Sequence, residues 1–132
     1  MPNAWTTRQY AVEITTDRQL QLHKQEPDTK PDLRYMQGKV GGLIEKVQTE
    51  YSGEGWELDV WGNEEGKING MPQTVYRRDG ERLHGPLLVL ASDPNGDSQW
   101  LTMAEAARIM LVQMVDFDLP LLRVVRYPEP RG

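Results

Sequence analysis

Apolar residues alternate with polar ones in some stretches of this chain and recur every third or fourth position in others. Tyr10, Val12 and Ile14 alternate with Ala11, Glu13 and Thr15. After the turn-like Thr16-Asp17-Arg18, Leu20 and Leu22 resume the pattern against Gln19, Gln21 and His23. A period of two interrupted by a short polar turn predicts an antiparallel hairpin. Leu33, Met36 and Val40 lie on one side of a short helix over 32–40, preceded by Pro31 and stopped by Gly41-Gly42. Proline suits the first turn of a helix, and glycine suits the position beyond its last.

Leu43, Ile44 and Val47 give a strand over 43–50, and Trp56, Leu58 and Val60 give another over 56–61, with a turn at 51–55 between them. That second strand runs into Gly62-Asn63-Glu64-Glu65-Gly66, an acidic bend built from residues that tolerate tight reversal. Asn63 and Gly66 are expected there as turn-formers able to enter the left-handed region. Lys67 to Gly70 reads as a brief extended piece, Val75-Tyr76 as the start of a short strand, and 77–82 as a charged loop. The run 86–91, PLLVLA, is continuously apolar. It predicts a strand covered on both faces at the centre of the sheet.

The sharpest local signal is Thr102 with Glu105, a capping box in which each side chain satisfies a backbone donor at a helix start. The helix is expected over 103–115, with Met103, Ala106, Ala107, Met110, Leu111 and Met114 on one stripe and further apolar residues elsewhere. Leu121 to Val125 predicts a final strand or arm, followed by an extended tail. The fold class these elements define is α+β. One mixed, mostly antiparallel sheet carries one short helix and one long, capped C-terminal helix.

Length and composition narrow this picture. A chain of 132 residues suits a single domain, read as a loose lead-in at 1–9, a core at 10–115 and an arm at 116–132. Hydrophobic residues make up 38% and charged residues 27%, too apolar for a disordered chain. The formal charge of −5 weighs against a dedicated nucleic-acid binder. The absence of cysteine removes disulfides, thiolate catalysis and Cys-ligated metals. No start resembling a signal peptide and no run of roughly 20 apolar residues is present. The expectation is a cytoplasmic protein without a membrane span.

At this point the order of pieces resembles a known family. A starting strand at Tyr10, GGLIEKV at 41–47, NEEGKINGMP at 63–72, GPLLVLA at 85–91 and LTMAEAARI at 101–109 together resemble DUF3846, a phage-associated domain of unknown function. The likeness covers about three quarters of the chain, from Tyr10 to about Ile109. It implies a small accessory protein of bacteriophages and their hosts. The family has no established activity, so no catalytic residue carries over.

Candidate chemistry is sparse. His23, on the polar face of its strand, and His84, in a loop, do not have metal-ligand spacing. Asp59, Glu64 and Glu65 gather carboxylates near the bend, but Glu64 and Glu65 are sequence neighbours rather than facing groups. Asp93-Pro94-Asn95-Gly96-Asp97 has only a faint likeness to a calcium loop and reads as a turn. Arg77, Arg78 and Arg82, with Arg123 and Arg126, are the cationic concentrations; balance for nearby acids is the simpler reading. Trp56 is expected in the core. Trp61 points the opposite way beside the bend, where an aromatic can anchor a partner or pack under a loop.

No nucleophile–base pair, Walker loop or dinucleotide motif is present, so no enzyme, metal or cofactor is expected. The first expectation is a non-enzymatic binding protein that contacts a host protein, in counter-defence or host takeover, through Trp61, Asn63, Glu64 and Glu65 or the C-terminal arm. A homodimer through 103–115 is subsidiary to it. The alternative is a nucleotide or small-anion site formed by Lys67, Arg77 and Arg78.

Overall fold

A computed structural model describes residues 5–77, 81–112, 117–118 and 124–125. The strands are β1 (Tyr10–Ile14), β2 (Leu20–Lys24), β3 (Ile44–Gly53), β4 (Trp56–Asn63), β5 (Gln73–Arg77), β6 (Arg82–His84), β7 (Leu87–Ser92), β8 (Ser98–Gln99), β9 (Phe117–Asp118) and β10 (Val124–Val125). Two helices, α1 (Leu33–Val40) and α2 (Met103–Val112), interrupt them. The main sheet has the order β10-β2-β1-β7-β4-β3, with β8 paired to β7, and β6-β5-β9 form a second, smaller sheet. Every described pairing is antiparallel except that of β10 with β2.

The expected long helix needs correction. α1 has 8 residues, short as expected, but α2 has only 10, and no long C-terminal helix is present among the described residues. Residues 113–115, the end of the expected helix, lie outside the described residues. The apolar run that suggested extra length reads equally well as helix or strand. By Phe117 the chain is already a strand, paired with β5 through Tyr76↔Asp118 and Arg77↔Phe117. The expected single sheet is also corrected, because β5 and β6 turn away to build the second one.

β7 sits between β1 and β4, and all six of its residues are buried. Its alternation splits the core in two. Leu87, Val89 and Ala91 join Val12, Ile14, Leu20, Leu58 and Val60 on the face that α2 covers with Ala106, Ile109 and Met110. Leu88 and Leu90 look to the other face, where α1 supplies Met36 and Val40 beside Ala11 and Trp100. Each fully buried leucine here contributes roughly 1.5–3 kcal/mol relative to exposure. An isolated helix as short as α1 is not stable in water. Packing of Met36 and Val40, with the Asp32 carboxylate accepting from Tyr35 N at 2.8 Å, holds it.

The capping box forms as the sequence implies: Glu105 N donates to Thr102 Oγ1 and Thr102 N to Glu105 Oε1, both at 3.1 Å. The lead-in is less loose than expected over its described residues. Arg8 makes a forked pair with Glu105 at 2.7 and 3.2 Å and lies 3.6 Å over the Trp56 ring, while Gln9 N donates to Leu101 O. Among the described residues, no helix is long and apolar enough to cross a membrane.

Candidate functional site: the bend after β4

Asn63, the last residue of β4, governs the bend. Its side chain is 8% exposed and uses both ends. The amide nitrogen donates to Val40 O at 3.1 Å, and the amide oxygen accepts from Glu65 N at 2.7 Å. One asparagine thus satisfies an orphan carbonyl at the end of α1 and a backbone donor of the bend. Gly41 and Gly42 both donate to Gln37 O, closing the same helix end, and Gly41 at φ +83° is in the left-handed region. Glu64 N donates to Leu43 O, Gly66 N to Asn63 O, Asn69 N to Glu65 O and Met71 N to Gly66 O. The piece 67–70, expected to be extended, is therefore coiled into turns.

Asn63 and Gly66 form the turn by a different route from the one expected, since neither has a positive φ. Gly66 is needed for proximity: a Cβ there would stand 2.4 Å from His84 O. Bend and β6 are in direct backbone contact, and any side chain would push them apart.

What this root leaves outside is acidic and apolar together. Glu64 and Glu65 are exposed, and Ile68 is 83% exposed. Leu43, whose carbonyl receives Glu64 N, is 52% exposed. Trp61 does not join this surface. It is half-buried against the α1-side core, with the Lys46 ammonium 5.3 Å over its ring and its indole N–H unpartnered. Asp59 also faces into the sheet, 1% exposed, accepting from Thr49 Oγ1 at 2.5 Å and 3.5 Å from Lys46 Nζ. Of the expected contact residues, the bend therefore brings Glu64 and Glu65 outward and turns Asn63 inward.

A cleft of about 130 Å³ opens beside the bend, lined by Glu45, Val47, Gly62, Asn63, Glu64, Lys67, Glu81, Arg82, Leu83, His84 and Leu87. Lys67 belongs to it, Arg77 ends β5, and Arg78, Arg123 and Arg126 lie outside the described residues. Small-molecule pockets usually exceed roughly 300 Å³, so this cleft is small for a nucleotide.

The histidines are both engaged. His23, expected on a polar face, is fully buried, with Nε2 at 2.8 Å from Glu13 Oε1. His84 Nδ1 lies 3.0 Å from Met71 O. Among the described residues, no three His, Asp or Glu side chains are grouped to hold a metal ion. At 93–97 the Asp93 carboxylate turns on its own loop, accepting from Asn95 N and Asp97 N at 3.0 Å and from Gln99 Nε2 at 3.0 Å. The Asp97 N–H, opposed by slight desolvation and helped by Gln99, holds its pKa below the usual carboxylate value.

Sequence reasoning missed Ile68, Leu43 and the Glu45 and Glu81 walls of the cleft, though it had singled out Arg82 as a cation. The signal for Ile68 was present: an apolar residue isolated in Lys67-Ile68-Asn69-Gly70, with no alternating neighbour to share a buried face.

The described structure is thus a β-rich protein of the α+β kind, with a bend pinned at its root and open at its tip. The chain belongs to the family described as Domain of unknown function (DUF3846), whose model matches residues 9–113. No curated protein and no solved structure matches it.

Proposed function

We propose that this chain is a non-enzymatic binding protein that presents the 63–71 bend to a protein partner. The setting we propose is that of a bacteriophage accessory protein acting on a host protein in the host cytoplasm. One observation carries the reading: Ile68, 83% exposed, stands with exposed Glu64 and Glu65 on a bend whose root is buried. A lone large apolar side chain on a surface needs no explanation. Here, however, a buried asparagine and a glycine against backbone hold the loop that carries it in one shape. A pre-shaped loop loses less entropy on binding, which favours affinity. The fitting partner surface has an apolar socket for Ile68 and a basic rim for the two carboxylates.

The test is capture from bacterial lysate on immobilised protein, comparing wild type with Ile68→Asp and with Glu64→Lys/Glu65→Lys. Both variants change only exposed side chains and should keep the wild-type circular dichroism and melting temperature. A protein retained by wild type and lost from both variants supports the proposal. Equal retention on all three, or none on any, contradicts it.

A further inference from the structure

The cleft beside the bend is close in volume to one large side chain. At about 130 Å³ it is comparable to the roughly 150 Å³ cavity that accepts a benzene ring. Val47, Leu83 and Leu87 make the apolar part of its lining. Gly62 lets Leu87 and Val47 pack close against the backbone there, since a Cβ would stand 3.1 Å from Leu87 Cδ2 and 3.4 Å from Val47 Cγ1.

The charged part of the lining is three carboxylates, Glu45, Glu64 and Glu81, and two cations, Lys67 and Arg82. Glu81 and Arg82 each already have an interaction of their own. His84 also lines the cleft; its Nδ1 is 3.0 Å from Met71 O, and a carbonyl only accepts, so Nδ1 carries a proton. An anion would find Lys67 and Arg82 but meet the carboxylates of Glu45, Glu64 and Glu81.

Resting on the reading of the bend as a docking surface, we infer that this cleft receives a basic side chain of the partner, arginine or lysine. Its methylenes lie along Val47, Leu83 and Leu87, and its charged head reaches Glu45 and Glu64. Long basic side chains divide themselves in this way, with the stem in apolar surroundings and the charge at the opening. Lys67 is then a competitor that repels the incoming cation and sets a limit on affinity.

The probe is N-acetyl-arginine amide, titrated into the full chain while backbone NMR shifts of Gly62, Leu83 and Leu87 are followed. Saturable shifts are expected. Glu45→Gln/Glu64→Gln should weaken binding about threefold or more, and Lys67→Met should strengthen it by about as much. N-acetyl-norleucine amide, with a stem but no charge, should bind more weakly than the arginine probe. No saturable shift, an equal response to norleucine amide, or weaker binding by Lys67→Met overturns the inference. The last outcome would mark an anion site instead. Ile68→Asp should leave this titration unchanged while removing partner capture, so the cleft and the bend can fail separately.

Discussion

Two acid-rich turns of similar composition, 63–66 and 93–97, are built in opposite ways. In the first, Asn63 reaches back into the body of the protein, joining Val40 O of α1 to the amide of Glu65, and both glutamates are left outside. In the second, Asp93 turns on itself and accepts from Asn95, Asp97 and Gln99 within its own loop. The difference lies in which polar atoms are already satisfied. A carboxylate that closes its own turn has little left to offer a ligand, whereas one lifted on a turn closed by a neighbour keeps its full acceptor capacity. Acidic composition alone therefore says little about function, and the hydrogen-bond accounting says much more.

This contrast can be broken by substitution, beginning with the glycines. Gly66→Ala places a Cβ 2.4 Å from a backbone carbonyl that cannot swing aside. A loss on the order of 1–3 kcal/mol or more, read by urea denaturation, is expected from such overpacking. Gly96→Ala in the other loop meets nothing within 4 Å but sits at φ +88°, so its cost is that of a left-handed alanine, roughly 1–2 kcal/mol. If the two cost the same, the close approach at Gly66 is not what fixes the bend.

The side chains that close each turn come next. Asn63→Ala leaves the buried Val40 carbonyl and the half-buried Glu65 amide without their partner, at about 1–3 kcal/mol. Asp93→Ala, in a loop open to water, should cost less. Equal losses in thermal melts would remove the distinction between a turn rooted in the core and one closed locally.

The smallest effect is a pH dependence confined to the second turn. Asp93 has a folded pKa below its unfolded value, because the Asp97 N–H favours the charged form. Its contribution is therefore fully present above the unfolded value, about 4, and is lost as pH falls through the lowered folded one. Amide shifts of Asn95 and Asp97, followed down from pH 5, should move together over that window in wild type and stay flat in Asp93→Asn. Glu64→Gln and Glu65→Gln, by contrast, should leave stability within about 0.5 kcal/mol.

Much of the scaffold was legible because its signals are local. The alternation at 10–14, 20–24 and 56–61 and the apolar run at 86–91 each specify a strand by period or by burial, and Thr102 with Glu105 names a helix start. The length of α2 was not legible. Leu111 to Val115 is apolar but for Gln113 and suits helix or strand, and the pairing of Phe117–Asp118 with β5 is a long-range event that no local pattern encodes. β6 was hidden for a similar reason: Arg82-Leu83-His84 has one apolar residue, and its strand character comes from pairing with β5, where Thr74 Oγ1 also lies within hydrogen-bond distance of Leu83 O and Gly85 O. At the site, the acidic bend could be read from residue types, but its inside and outside could not. Asn63 and Glu64 look alike in a sequence, and only the approach of α1 decides that one is buried and the other is not. Trp61 illustrates the same limit, since alternation placed it correctly on the opposite face from Val60 but could not show that α1 packs over that face.

The central claim is that the 63–71 bend is a rigid display held by Asn63, and amide hydrogen exchange at Glu65 and Met71 addresses it most directly. Both protons should exchange far more slowly than in an unstructured chain, and protection at Glu65 should fall selectively in Asn63→Ala. Exchange of both at the unstructured rate in the wild-type protein would contradict the claim.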